Sequence, residues 1–193
     1  MRNVSPFSKA SSLFVLLALW AACSGNPTAV PAAFRTADGV GFDTTVWCTQ
    51  RASVIVFLSP ECPLCQNYAL TIRQLQDTFA SQQVRFFGVI ADERFTNKTV
   101  LSFQQQFGMN IPLVRDSLKL LTHRFGATVT PEAFLLDAKG EIRYSGRIDN
   151  WMYEVGRKRT LVTEHDLDYA IRALLTDAKF KSHHTQAIGC FIE

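Results

Sequence analysis

The stretch Val54–Cys65, "VIVFLSPECPLC", places two cysteines directly after an apolar run. Val54–Leu58 is continuous, apolar and rich in β-branched residues, which is typical of a central strand covered on both faces. Ser59-Pro60 ends this run, and Cys62 and Cys65 follow with the spacing C-x-x-C. Three roles compete for such a pair: a redox dithiol, half of a metal site, or two buried structural cysteines.

A helix is predicted to begin at the two cysteines. An apolar stripe with helical spacing runs down Cys62–Gln82, formed by Tyr68, Ile72, Leu75 and Phe79. Pro63 fits the first turn, where the missing N–H costs nothing. A thiol at a helix N-terminus meets unpaired N–H groups and the positive end of the helix dipole, so Cys62 is expected to have a lowered pKa and to act as the nucleophile. Cys65, one turn further along, is expected to be the shielded, resolving thiol.

The metal and structural alternatives are weaker. A closed zinc site needs a second pair of ligands. The other candidates are His123, His165, His183, His184, Cys48 and Cys190, and the only pair among them is the two adjacent histidines near the end of the chain. A junction of strand, Ser-Pro, cysteine and helix forms a surface rim, which does not suit two inert core cysteines. The sequence therefore favours a redox pair with no metal.

The first half of the chain predicts four further elements. Phe34–Asp43 contains "ADG" between two apolar pieces and is a predicted hairpin. Val84–Ala91 is a second buried strand. Asn97–Phe107 is a predicted helix, capped by Thr96 or by Asn97 itself. "IPLVRD" follows it as a short strand.

The second half predicts another helix, a hairpin and a last helix. The first helix is marked by Leu118, Leu121 and Phe125 and is ended by Gly126. Ala133–Asp137 and Glu141–Arg147 flank the turn "AKG" as two antiparallel strands. Thr163 with Asp166 opens the last helix, whose inward-facing residues are Leu167, Ile171, Leu174 and Leu175. This order of elements predicts an α/β fold with a mixed central sheet flanked by helices, an N-terminal hairpin and a C-terminal tail.

The N-terminal residues have the features of an export signal. Arg2 and Lys9 precede the short apolar core Leu13–Ala22, which falls short of the ~20 residues needed to span a bilayer. The following "WAAC" resembles a bacterial lipobox, which would make Cys23 the lipidated N-terminus; ordinary signal-peptide cleavage is the alternative. The expected organisation is a signal peptide at 1–22, lipidated cysteine and tether at 23–33, a folded domain at 34–178 and a tail at 179–193.

Export places the protein outside the cytoplasm, at the periplasmic face of a bacterial membrane through the anchor at Cys23, or as a soluble periplasmic protein. Its 193 residues, 47% of them hydrophobic, suit one globular domain. Removal of Arg2 and Lys9 would lower the formal charge from +3 to +1. The basic run Arg157–Arg159 is interpreted as a solvated loop, so no nucleic-acid partner is expected.

Two motifs resemble the thioredoxin fold in its exported, redoxin-like (TlpA/AhpC-TSA) branch. They are "FLSPECPLCQNYALTIRQL" and, about seventy residues later, "FGATVTPEAFLLDAKGEIRYSGRID", and the resemblance covers Phe34–Leu175. It implies a thiol–disulfide oxidoreductase that acts on protein disulfides and carries no bound cofactor. It also implies that Pro131 is a cis-proline facing the dithiol, and that Thr130, Pro131 and Pro63 contact the substrate polypeptide.

Departures from the family pattern leave two other functions open. Pro-Leu between the cysteines leaves the direction of electron transfer undecided. A Sco-like copper chaperone would use C-x-x-x-C with a distant histidine; here the spacing is one residue shorter, and His123 is expected to face solvent. A thiol peroxidase of the peroxiredoxin type would use Thr-x-x-Cys, whereas Ser59-Pro60-Glu61 precedes Cys62.

The remaining cysteines, Cys48 and Cys190, are possible accessory thiols. Cys190 could form a structural disulfide with Cys48, could reach the rim of the active site as a third redox thiol, or could be buried separately. The tail around it contains apolar Ile188, Phe191 and Ile192, whose burial is expected to dock it on the domain. Cys62 is expected to be more exposed than Cys65.

Overall fold

The computed structural model describes residues 34–193. The predicted signal peptide at 1–22, the lipidated Cys23 and the tether at 23–33 lie outside the described residues. The predicted hairpin at Phe34–Asp43 is the first element of the described chain and is confirmed as a pair of short antiparallel strands.

The strands of the described chain run from β1 to β11 in sequence order. They are β1 (Phe34–Thr36), β2 (Gly41–Phe42), β3 (Ala52–Leu58), β4 (Val84–Ile90), β5 (Leu113–Arg115), β6 (Val129–Thr130), β7 (Glu132–Asp137), β8 (Ile142–Gly146), β9 (Met152–Glu154), β10 (Arg157–Lys158) and β11 (Cys190–Phe191). Seven of them form one sheet in the order β2-β1-β5-β4-β3-β7-β8. The β3–β4 and β4–β5 pairs are parallel and the other pairs antiparallel. The predicted mixed sheet is therefore confirmed.

Strand β3 lies inside the sheet, and every one of its residues is buried. Its side chains alternate between the two faces, as the pleat of a strand requires. Val54, Val56 and Leu58 belong to the core layer that contains Ile72. Ile55 and Phe57 belong to the opposite, aromatic-rich layer. The uninterrupted apolar run of the sequence thus reflects burial on both faces.

Four α-helices accompany the sheet within the described residues: α1 (Pro63–Phe79), α2 (Asn97–Gln106), α3 (Leu120–Phe125) and α4 (Asp166–Leu175). The predicted helix Cys62–Gln82 is α1 followed by a 3-10 turn at Ala80–Gln82. Thr96 caps α2, because its hydroxyl accepts the N–H of Thr99 at 3.2 Å.

Two details of the helix predictions are wrong. Leu118 precedes α3 and is 73% exposed, so it is no part of the apolar face formed by Leu121 and Phe125. Thr163 does not open α4, which begins at Asp166 after His165. Thr163 instead exchanges hydrogen bonds with the side chain of Asn150, at 2.8 and 3.0 Å. Thr163 therefore bonds to Asn150, 13 residues earlier, and not to the first turn of α4.

The other four strands form two small antiparallel pairs outside the large sheet: β9 with β10, and β6 with β11. The first pair contains Arg157 and Lys158 of the basic run at 157–159, and all three residues are exposed, as predicted. The second pair joins the segment before Pro131 to the C-terminal tail. None of the described helices is long and apolar enough to cross a membrane.

Candidate active site

The dithiol lies where β3 passes into α1. Cys62 occupies the N-cap position, Pro63 is the exposed first residue of the helix, and Cys65 lies in its first turn. The N–H of Cys62 donates to the carbonyl oxygen of Ser59 at 3.2 Å, and the N–H of Ser59 donates to Cys65 Sγ at 3.4 Å. Ser59 thereby ties both cysteines to the end of the central strand.

Both cysteines are buried, and Cys62 is the more exposed of the two, as predicted, although only by a small margin. Cys62 is 2% exposed and Cys65 is 0% exposed. The rim position of Cys62 was predicted correctly, but the tail covers it. Strand β11 supplies this cover, because Cys190 pairs with Thr130 beside the dithiol.

The loop before β7 faces Cys62 as the family resemblance implied. The Thr130–Pro131 peptide bond is cis, which confirms that prediction. The neutral thiol of Cys62 donates to the carbonyl oxygen of Thr130 at 3.2 Å. The buried carboxylate of Glu132 accepts the N–H of Thr128 at 2.9 Å and that of Val129 at 3.4 Å. Glu132 therefore fixes the backbone that presents Thr130 to the sulfur.

The structure contains no Cys48–Cys190 bridge, which excludes the structural disulfide, one of the three alternatives for Cys190. Cys48 precedes β3, in the 3-10 turn Thr44–Thr49, and its Sγ lies near Gly140 in the β7–β8 turn. Cys190 lies at the other end of β3, next to Cys62. Seven residues of strand span about 20 Å, which is far beyond the reach of a disulfide.

Hydrogen bonds to Cys62 favour its thiolate. The Cys65 thiol is the main donor, and with a further contribution from the thiol of Cys190 it lowers the pKa of Cys62 to about 4, against the opposing effect of burial. The backbone N–H groups of Cys65 and Cys190 act in the same direction. The helix N-terminus contributes, as predicted, but the tail stabilises the same charge.

The two neighbouring thiols are held in the protonated form. Burial raises the pKa of Cys65 well above its ordinary value, and the hydrogen bond and negative charge of Cys62 add to this effect. The same causes, in the same order, raise the pKa of Cys190 to about 12. Cys62 thus favours the thiolate, and the protonated thiols of Cys65 and Cys190 donate hydrogen bonds to it.

Sequence reasoning missed Glu132 and Asp149 as parts of this region. Asp149 accepts the hydroxyl of Tyr68, on α1, at 2.6 Å and the N–H of Trp151 at 2.9 Å. Burial and this carboxylate raise the pKa of Tyr68. The available signals were "PE" directly after Thr130 and "IDNW" at 148–151, shortly after β8. Neither has a local pattern that distinguishes it from a surface loop.

A cleft of about 180 Å³ opens beside the dithiol; its lining includes Cys62, Thr130, Cys190, Asp92, Arg94 and Glu193. Within residues 34–193, no three or more His, Cys, Asp or Glu side chains are grouped so as to hold a metal ion. His123 is exposed on α3, as predicted. Two thiol-bearing residues, Cys62 and Cys190, line the cleft.

The family model for Redoxin matches residues 25–154. This range is more than half of the chain and includes the dithiol and the Thr130–Pro131 loop. The chain therefore belongs to the Redoxin family. Helix α4 and the C-terminal tail lie beyond the match. No curated protein matches the chain.

Solved structures share the fold. A hypothetical protein from Sinorhizobium meliloti superposes with a TM-score of 0.73 at 23% identity, covering 83% of this chain and 91% of the other. An uncharacterized conserved protein from Geobacillus kaustophilus superposes with a TM-score of 0.74 at 20% identity, covering 86% of this chain and 89% of the other. A secreted disulfide oxidoreductase of Mycobacterium tuberculosis, homologous to Escherichia coli DsbE, gives 0.53 at 19% identity, with 74% and 92% covered. These likenesses establish a thioredoxin-like fold.

Proposed function

We propose that this member of the Redoxin family is a thiol–disulfide oxidoreductase that acts on protein disulfides through Cys62 and Cys65. The observation that carries the proposal is the asymmetry of the pair. Cys62 occupies the N-cap position of α1 and its pKa is lowered to about 4, whereas burial keeps Cys65 protonated one turn further along. A nucleophile and a resolving thiol need these two different states.

The Cys62 thiolate attacks one sulfur of a substrate disulfide, forms a mixed disulfide and releases the other substrate sulfur as a thiolate, which takes up a proton. Cys65 then loses its proton and attacks Cys62 Sγ. This step releases the second substrate thiol and leaves the Cys62–Cys65 disulfide, so that two electrons have passed to the substrate. The negative charge of Cys62, which raises the pKa of Cys65, disappears in the mixed disulfide. Resolution thus becomes easier only after the first attack.

The proposal includes no bound cofactor, because the two sulfur atoms carry the electrons. It includes export and a lipid anchor at Cys23, supported by Arg2, Lys9, the apolar run Leu13–Ala22 and the "WAAC" sequence. Partners are then exported proteins with disulfides. Fractionation of bacterial cells that express the chain tests the anchor: a Cys23→Ser variant should leave the membrane fraction.

Reduction of insulin by dithiothreitol, catalysed by the purified protein, tests the chemistry. Cys62→Ser should reduce catalysis to the uncatalysed rate, because no other thiol in the site is held as a thiolate. Cys48→Ser, at the opposite end of β3, is the matched control and should retain the activity of the unmodified protein. Equal activity in Cys62→Ser and the unmodified protein would refute the proposal.

A further inference from the structure

The C-terminal tail follows a defined path to the dithiol. It first runs along β8, the outer strand of the large sheet. The N–H of Ser145 donates to the carbonyl oxygen of His183, and that of Thr185 donates to the carbonyl oxygen of Ser145, both at 3.0 Å. The Thr185 hydroxyl is also hydrogen-bonded to the hydroxyl of Tyr144 at 2.6 Å. An exposed sheet edge has thus gained a strand-like partner from the same chain.

Two glycines allow the close approach of this path. A Cβ atom at Gly146 would overlap the backbone of Thr185, and one at Gly189 would overlap the carbonyl group of Thr130. The atoms in the way are backbone atoms, which cannot rotate aside as a flexible side chain can. The docked position of the tail therefore depends on the absence of a side chain at both places.

Strand pairing then fixes the register of Cys190. Cys190 lies opposite Thr130, Phe191 lies opposite Val129, and the N–H of Ile192 donates to the carbonyl oxygen of Thr128 at 3.0 Å. The carbonyl oxygen of Thr130 is also the acceptor for Cys62 Sγ. The register therefore places Cys190 beside Cys62, and both residues line the same cleft.

We propose that Cys190 is a third redox residue, which forms a disulfide with Cys62 when the protein is oxidised. The inference rests on the proposed function, since it uses the Cys62 nucleophile. The Cys190 sulfur lies beside Cys62, where the sulfur of a substrate has to be, and it is carried on an extended strand paired with β6. The tail thus binds beside Cys62 as an extended substrate peptide would, by pairing with β6.

The chemistry balances with the substrate disulfide of the proposed reaction as oxidant. Cys62 forms a mixed disulfide with the substrate. Cys190 then loses its proton, attacks Cys62 Sγ and expels the second substrate sulfur as a thiolate, which takes up a proton; a Cys62–Cys190 disulfide remains. The Cys62–Cys65 disulfide reaches the same state without any oxidant. Cys190 attacks Cys62 Sγ, Cys65 leaves as a thiolate and takes up a proton, and no net electrons are transferred.

The β11 end of the docked tail can be exchanged for a substrate, since Ile188 and Ile192 are only partly buried against the core. Strand β11 has only two residues, and Phe191 is 83% exposed, so burial of this ring contributes little. At the chain end, the Glu193 carboxylate lies 3.6 Å from the Arg94 guanidinium, and both side chains are exposed. Exposed ion pairs of this kind are weak. An incoming polypeptide with a disulfide can therefore replace β11 at the edge of β6.

Disulfide mapping of the full-length Cys65→Ser variant tests the inference. The variant is treated with oxidised glutathione, proteolysed without reduction and analysed by mass spectrometry. Glutathione first forms a mixed disulfide with Cys62, and the tethered Cys190, at an effective concentration of about millimolar, should then displace it. We expect the Cys62–Cys190 cross-link to be the main product. Recovery of Cys62 only as its glutathione adduct would overturn the inference.

Undocking the tail without removing a thiol gives the matched comparison. In Cys65→Ser with Gly189→Ala, the new methyl group meets the Thr130 carbonyl, and the yield of the cross-link should fall several-fold. Gly41→Ala in the same background is the control, because a Cβ there meets nothing within 4 Å. Equal yields in both variants would show that the cross-link forms by random collision and would refute the docked geometry. Circular dichroism checks that each variant folds.

The mapping result is independent of the insulin assay. A Cys62–Cys190 cross-link in a protein that does not reduce insulin would support the third redox thiol and reject the proposed function. Cys62-dependent insulin reduction without the cross-link would support the function and reject the inference.

Discussion

Two segments bring a thiol to Cys62, the first turn of α1 and strand β11, and they are held in different ways. The α1 segment belongs to a 17-residue helix whose apolar face is buried in the core, and Cys65 is 0% exposed. The β11 segment is a two-residue strand with a half-buried Cys190 and an exposed Phe191. The contact between Cys62 and Cys65 is therefore a fixed part of the core, whereas the contact between Cys62 and Cys190 can be exchanged for one with a substrate.

This difference separates two tasks that a dithiol site has to perform. A resolving thiol must be present whenever a mixed disulfide forms, so it is best placed on a rigid element. A thiol that occupies the position of the substrate must leave when the substrate arrives, so it is best placed on an element of low local stability. Hydrogen bonds to Cys62 come from both segments and do not distinguish the stable one from the exchangeable one. The degree of burial of the two segments does.

The stability of the two segments gives the sharpest test of the comparison. Ile72→Ala removes a 1% exposed side chain of α1 and should lower the free energy of unfolding by about 2–5 kcal/mol. Phe191→Ala removes an 83% exposed ring of β11 and should change it by less than about 0.5 kcal/mol. Urea denaturation followed by fluorescence measures both. Similar losses in the two variants would mean that β11 is part of the cooperative core.

Catalysis should distinguish the two thiols next. Cys65→Ala removes a resolving thiol held in place by the helix, so turnover in the insulin assay should fall by about a hundredfold. Cys190→Ala should change turnover only by a small factor, because the substrate displaces the tail before reaction. Initial rates at saturating insulin measure the effect. A larger loss in Cys190→Ala than in Cys65→Ala would reverse the assigned roles.

The pH dependence of alkylation tests the charge effect of the tail. Because the pKa of Cys62 is lowered to about 4, its thiolate persists at mildly acidic pH and is lost as the pH falls through that value. Cys190→Ala removes one donor to the thiolate, so the midpoint of the alkylation profile should move to higher pH. Cys190→Ser retains a hydroxyl donor and should move it less. Mass spectrometry of Cys62 gives the extent of alkylation at each pH. The midpoint of this profile reports the pKa of Cys62, whereas the maximal rate also rises when a loosened tail exposes the sulfur.

The ion pair at the chain end should have the smallest effect. Arg94→Ala removes the partner of Glu193, but both side chains are exposed, and Asp92 is the closer partner of Arg94, at 2.6 Å. The alkylation rate of Cys62 at neutral pH should rise only slightly, and the difference should vanish at high salt. A large, salt-independent rise would show that Arg94 holds the tail by contacts other than charge.

The sequence predicted those parts of the site that depend on local pattern. The buried run of β3 and the helical spacing of α1 are each visible within one segment, so the position of Cys62 at a helix N-terminus followed from the residues themselves. The family resemblance supplied the cis-proline at Pro131. It also located the loop that faces Cys62, because "TVTPE" precedes a strand as the family motif does.

The burial of Cys62 could not be predicted, because it results from pairing between two-residue strands whose partners, Thr130 and Cys190, are 60 residues apart. A two-residue strand has no periodicity to detect. The tail docks as expected, and Ile188 and Ile192 pack against the core, but Phe191 is exposed. Backbone hydrogen bonds add to the docking, and residues of any type can supply those. Thr163 was misassigned for a similar reason, since its partner Asn150 is distant in sequence.

The path of the tail makes chain length itself a determinant of redox chemistry. Thr185 is fixed at β8 and Cys190 at β6, so the residues between them span a set distance. Each residue added to an extended chain shifts all later residues by about 3.3 Å and turns them to the opposite face. One inserted residue would therefore place Gly189 opposite Thr130 and turn Cys190 away from Cys62, with every thiol still present. The number of residues between Thr185 and Cys190 therefore determines whether the Cys190 sulfur faces Cys62.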